Sequence, residues 1–194
     1  AAVAEYVAGS VEDCVQLMNE HAQALGMNDT QYFNVHGLPP GEGQQENMTT
    51  AYDSAILARE LITAYPEVLR WSSTKETRFR DGKLLLTNTN HLIGNFPGAD
   101  GLKTGSYSKA GFNLAATAKR GDMRLIAVVL GGWRSKARFE EAARLLSMGF
   151  DNYHRQIVLR KDQPLDRDLS VKKGKSQSVR PIVAEDVVVT IKRD

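Results

Sequence analysis

Residues 111–118 and 124–130 form two largely apolar runs, separated by five residues that include Gly121-Asp122. A parallel crossover needs a dozen residues or more, so these runs can only be antiparallel neighbours joined by a tight turn. That turn also accounts for the Arg120-Gly121-Asp122 tripeptide without any adhesive role. A second hairpin is predicted upstream, where residues 76–80 and 83–87 flank Asp81-Gly82, a pair suited to a type I′ turn. Helical patterns surround these strands. Val3, Val7, Val11, Val15, Met18, Ala22 and Leu25 recur at steps of three and four, which predicts one helix over residues 1–25 with Gly26 at its C-terminal end. Thr50-x-x-Asp53 resembles a capping box and opens a second helix that ends near Pro66. A third is expected over about 135–153, with Phe139, Ala142, Leu146 and Phe150 on one face. Residues 31–35 read as a short strand and 41–48 as a polar loop. The expected fold class is α/β in the α+β sense: an antiparallel sheet packed against helices.

Beyond about residue 155 the pattern changes. Short alternating runs at 156–159, 169–172 and 187–191 lie among polar turns. Residues 1–155 therefore read as one domain portion, and 156–194 as the beginning of a small β-rich module. Three such strands are too few to stand alone comfortably. The helix at Ala1 opens without a capping residue, so further polypeptide is expected before it.

Several classes of function are excluded early. Lys and Arg number 25 against 23 Asp and Glu, a net charge of +2 that gives no electrostatic basis for nucleic-acid binding. The single cysteine, Cys14, allows no internal disulfide. His21, His36, His91 and His154 show no metal-ligand spacing, so neither a metal nor another cofactor is expected. No apolar run approaches the roughly 18 residues of a membrane span.

Chemistry concentrates at Lys103-Thr104-Gly105. A lysine offers charge to a carboxylate, a threonine a hydroxyl donor, and a glycine room for an extended ligand against a strand. The backbone N–H of Ser106 could act as an oxyanion donor. A phosphate loop is excluded, because Leu102 stands where a glycine must precede the lysine.

The run GADGLKTGSYSKAGFNLAATA at 98–118 resembles the K-T-G region of the low-molecular-mass penicillin-binding proteins, the serine-type D-alanyl-D-alanine carboxypeptidases. The likeness extends, in order, through NVHGL (34–38), TAYDSAILAR (50–59), NTN (88–90), LIAVVLG (125–131) and RFEEAARLL (138–146). That family also uses an S-x-x-K serine nucleophile and an S-x-N element. S-x-N is absent here. S-x-x-K occurs by letter at Ser72, Ser106 and Ser170, none of which falls where a helix-borne nucleophile is expected.

The resemblance implies a transpeptidase-like domain whose nucleophile lies in polypeptide N-terminal to Ala1, as a separate or absent chain. The 194 residues alone are expected to be inactive. With that segment restored, the implied activity is removal of the terminal D-Ala from peptidoglycan stem peptides through a serine acyl-enzyme, blocked by β-lactams. The implied place is the periplasm or cell envelope, after export. Lys103 and the Ser106 N–H would be catalytic; Lys103, Thr104, Gly105, Arg138 and His36 would bind substrate. For Arg138 the alternative is a helix-surface arginine paired with Glu141 or Asp151, and for His36 a loop histidine bonded to backbone. Asn88 and Asn90 are expected to pin a loop through Asx turns. The rival functions are a β-lactamase of the same fold and a non-catalytic peptidoglycan-binding homologue.

Overall fold

The computed structural model describes residues 1–193. They separate into two compact units, Ala1–Ser147 and Met148–Asp194.

The first unit opens with two helices, α1 (Ala2–Ala8) and α2 (Val11–Ala24), where the periodicity predicts one. The apolar stripe runs across the break, which is why it misleads. Gly9 adopts φ 89°, and Ser10 caps α2 by accepting a hydrogen bond from the Asp13 N–H at 2.9 Å. Ser10-x-x-Asp13 is therefore a restart signal that the stripe hides.

The predicted strand at 31–35 is also corrected. Only Gln31 bridges, to Met48. The following backbone N–H groups are taken by side chains instead: Tyr32 by Asn19, and Phe33 and Asn34 by Asn47.

Helix α3 (Ala51–Ala64) begins where the sequence predicts, with Thr50 Oγ1 accepting from the Asp53 N–H at 3.0 Å. The Asp53 carboxylate is directed elsewhere. It is 2 % exposed and accepts from the Asp29 N–H at 3.0 Å and the Thr30 hydroxyl at 2.7 Å, tying the 27–30 turn to the helix start. A short helix, α4 (Val68–Ser72), follows Pro66.

The hairpin β1 (Glu76–Phe79) and β2 (Leu84–Thr87) turns at Asp81 and Gly82, both with positive φ as type I′ requires. Arg80 has positive φ as well, so each strand is one residue shorter than predicted.

The main sheet has the order β3-β4-β5, all antiparallel: β3 (Ala99–Tyr107), β4 (Gly111–Arg120) and β5 (Met123–Gly132). The β4–β5 turn lies at Gly121 as expected, with φ 59°. Leu114, Ala116, Thr117 and Ala118 of β4 are buried, so the central strand carries the core of the sheet. The small side chains allow close packing against helices; α3 lies against β5 and β4. Truncating Leu114, which is 1 % exposed, would cost about 2–5 kcal/mol by the usual cavity rule. Gly98 sets the entry to β3. A Cβ there would lie 2.2 Å from the Lys119 carbonyl oxygen, so only glycine permits this approach.

Helix α5 (Ser135–Asn152) begins at the predicted residue and spans the end of this unit.

The second unit holds two small antiparallel pairs. Strands β6 (Tyr153–Leu159) and β9 (Val187–Lys192) form one, and β7 (Leu169–Ser170) and β8 (Ser178–Val179) the other. A bridge joins Pro164 to Ile182, and Val183 is buried. The sequence pattern misses β8, a two-residue strand too short to show alternation.

Candidate active site

Lys103, Thr104, Gly105 and Ser106 occupy the second half of β3, which pairs on one side with β4 and has no strand on its other side among the described residues. Gly105 faces Asn113 across the ladder. In an antiparallel pair the N–H and C=O of successive residues point to opposite sides, so along Lys103–Ser106 every second residue turns its backbone groups to the free edge. The Lys103 ammonium sits on the Thr104 carbonyl. Lys103 and Ser106 are exposed.

The Thr104 hydroxyl is 2.7 Å from the Thr89 hydroxyl. Thr89 stands in a loop fixed by its neighbours. Asn88 accepts from the Asn90 N–H, and Asn90 accepts from the Leu92 N–H, two consecutive Asx turns as expected. Asn88 also donates to the Ser72 and Thr74 carbonyls, and Asn90 to that of Gly101. The loop is thereby bonded to β3, next to the K-T-G residues.

Nothing in this unit requires glycine at 105. Its φ lies outside the positive region, and a Cβ there would meet no atom within 4 Å. The open space lies off the face of the sheet at Gly105.

Arg138 is neither on the helix surface nor paired with Glu141, which instead binds Arg144. It is 7 % exposed, with its guanidinium carbon 4.7 Å from the Phe139 ring centre and 5.5 Å from that of Phe112. Its Nη1 donates to the carbonyls of Gly105 and Asn113, at 3.2 and 3.3 Å. These lie beside the register shift of β4 between Phe112 and Leu114. The buried Nε has no partner, and burial lowers the pKa of the guanidinium. On its other side, Phe139 stacks with His91 at 4.8 Å.

His36 sits in an exposed loop. Its Nδ1 accepts from the Leu38 N–H at 3.0 Å. The adjoining residues Gly37 and Leu38 line a cavity with Tyr107 and Lys109. His36 thus adjoins the far end of β3, while Lys103 through Ser106 and Arg138 gather at one point of the strand.

The three lettered S-x-x-K serines have other surroundings. Ser72 donates to the Asp100 carbonyl, Ser106 belongs to the strand itself, and Ser170 pairs within the second unit.

The model of the D-alanyl-D-alanine carboxypeptidase family (Peptidase_S11) matches residues 1–133. This chain belongs to that family. The D-alanyl-D-alanine carboxypeptidase DacF of Bacillus subtilis is 35% identical over 195 residues, covering 99% of this chain and 49% of the relative. Among solved structures, penicillin-binding protein 5 from Haemophilus influenzae superposes with a TM-score of 0.82 at 33% identity, over 99% of this chain and 54% of that one. Penicillin-binding protein D2 from Listeria monocytogenes, in its cefotaxime-bound form, gives 0.66 at 35% identity, over 71% and 55%. The chain therefore spans about half the length of these three relatives. The mixed helix and antiparallel-sheet architecture agrees with these folds, as expected from the sequence.

Proposed function

We propose that this chain supplies the substrate-holding wall of a serine D-alanyl-D-alanine carboxypeptidase, with the nucleophile contributed by polypeptide outside the 194 residues. The observation that carries this is the free edge of β3 at Lys103–Ser106. A peptide ending in D-Ala-D-Ala adds there as an extra strand. Its terminal carboxylate meets the Lys103 ammonium and the Thr104 hydroxyl. Gly105 leaves room for its backbone. Arg138 holds the Gly105 carbonyl in place from behind and adds positive charge near the carboxylate. His36, in the loop by the far end of β3, would be a further substrate contact.

In the reaction, the serine hydroxyl attacks the penultimate D-Ala carbonyl as its proton passes to the partner lysine of the S-x-x-K element. The negative oxygen of the tetrahedral intermediate accepts a hydrogen bond from the Ser106 N–H. The C–N bond then breaks, and terminal D-Ala leaves with a proton on its amine. Water hydrolyses the ester and restores the serine. A β-lactam would acylate the same serine; cefotaxime is bound in the related Listeria protein. By itself this chain would not turn over substrate, because none of its S-x-x-K serines stands at a helix start beside β3.

Residues 156–194 would begin a β-rich second domain. The Haemophilus relative aligns over 99% of the chain, this tail included. Action on the stem peptides of peptidoglycan would place the complete protein in the cell envelope.

The test is release of D-Ala from an acyl-D-Ala-D-Ala peptide by the complete protein, and its loss in Lys103→Ala. Rapid penicillin hydrolysis without peptide cleavage would indicate a β-lactamase instead. Peptidoglycan binding with neither reaction would indicate a non-catalytic homologue.

A further inference from the structure

The loop before β3 sets one hydroxyl against another. The Thr89 Oγ1 lies 2.7 Å from that of Thr104, and either atom can donate. Neither hydroxyl has another hydrogen-bond partner among the described residues. Thr89 is held in place by its two neighbours. Asn88 accepts from the Asn90 N–H, and its own N–H donates to the Lys75 carbonyl at 2.8 Å. The buried Asn90 amide donates to the Gly101 carbonyl at 2.9 Å. Branching at the Thr89 Cβ restricts its side-chain torsion further.

A hydroxyl carries one proton and two lone pairs. A carboxylate only accepts. When the terminal carboxylate of a peptide meets Thr104, as the proposed function has it, the Thr104 proton must go to that carboxylate. The bond between the two threonines then has a single possible direction, with Thr89 donating and Thr104 accepting. A hydroxyl that accepts one hydrogen bond becomes a better donor of the next. As a folding contact the pair contributes little, because it is exposed to water. Its larger consequence is the direction it gives to the Thr104 proton.

We propose that Thr89 is a positioning residue for the proposed carboxypeptidase reaction, on which this inference rests. It donates to the Thr104 Oγ1 and so turns the Thr104 proton toward the terminal carboxylate. It acts through Thr104 and not on the reacting atoms.

The test uses the complete protein and two substrates that form the same acyl-enzyme. One is an acyl-D-Ala-D-Ala peptide. The other is the p-nitrophenyl ester of the same acyl-D-alanine, which has no terminal carboxylate. The readout is the ratio of kcat/KM on the peptide to kcat/KM on the ester. Thr89→Val keeps the shape and removes the donor, and should lower this ratio about three- to tenfold. Thr89→Ser should bring it back to within about twofold of the parent. In a Thr104→Val background, Thr89→Val should lower the ratio no further. A ratio in Thr89→Val that stays at the parent's value, because both rates fall together or neither falls, would overturn the role of Thr89 and leave the carboxypeptidase function standing. A Thr89→Ser ratio no better than that of Thr89→Val, or additive losses in the double variant, would overturn it as well. Failure of the parent protein to release D-Ala would overturn the proposed function itself.

Discussion

Nη1 of Arg138 donates to the carbonyl oxygen of Gly105 at 3.2 Å, and to that of Asn113 at 3.3 Å. One buried guanidinium nitrogen thus joins helix α5 to both strands where β4 leaves regular register. Burial lowers the Arg138 pKa, but an arginine remains charged at any physiological pH. Arg138→Lys cannot reproduce that fork. It should lower kcat/KM of the complete enzyme on an acyl-D-Ala-D-Ala peptide by about tenfold or more, mainly through KM, and lower stability by about 1–3 kcal/mol. Steady-state kinetics and urea denaturation measure the two effects separately.

Gly105 and Gly98 should respond oppositely to alanine. Gly105→Ala meets open space, so folding stability should change by less than about 1 kcal/mol while peptide turnover falls at least about tenfold. Gly98→Ala drives a methyl group into the Lys119 carbonyl from a positive φ, and should destabilise by about 2 kcal/mol or more. Equal loss of stability in both would remove the argument that the space beside Gly105 serves a ligand.

Asp53→Ala leaves two donors, the Asp29 N–H and the Thr30 hydroxyl, facing a buried gap. The expected loss is about 2–4 kcal/mol, against about 1 kcal/mol for Thr50→Ala, which removes only the helix cap. Denaturant midpoints of the two variants test the ranking.

Tyr32 introduces an alkaline dependence. Its pKa is raised above 10.0, first by burial and then by the charge of Asp53. The folded chain holds this proton where the unfolded chain gives it up. The contribution is therefore complete below the unfolded pKa and is lost as pH rises through the raised folded value. Tyr32→Phe should flatten the fall in stability over about pH 9–12 relative to the parent, as read from urea midpoints across that range.

The sequence makes some of this architecture plain. Gly121-Asp122 and Asp81-Gly82 mark their hairpins because two-residue turns impose local torsions that few residues accept. Thr50 marks a helix start for the same local reason. The break at Gly9 is hidden, because Val3, Val7 and Val11 keep one period across it while the decision rests on the Ser10 cap. The strand predicted at 31–35 fails because Asn19 and Asn47, distant in sequence, take the N–H groups a ladder would need. At the candidate site, Lys103, Thr104 and Gly105 are legible as a motif. The burial of Arg138 between Phe112 and Phe139 and the Thr89–Thr104 pair are not, since each depends on segments brought together only by folding.

If β3 presents its ligand to a serine belonging to other polypeptide, a β-lactam must become attached to that serine. Peptide mapping of the complete protein after reaction with a labelled penicillin tests it most directly. One ester adduct is expected, on a serine outside residues 1–194, that no longer forms at a comparable rate in Lys103→Ala. An adduct on Ser72, Ser106 or Ser170 would contradict it.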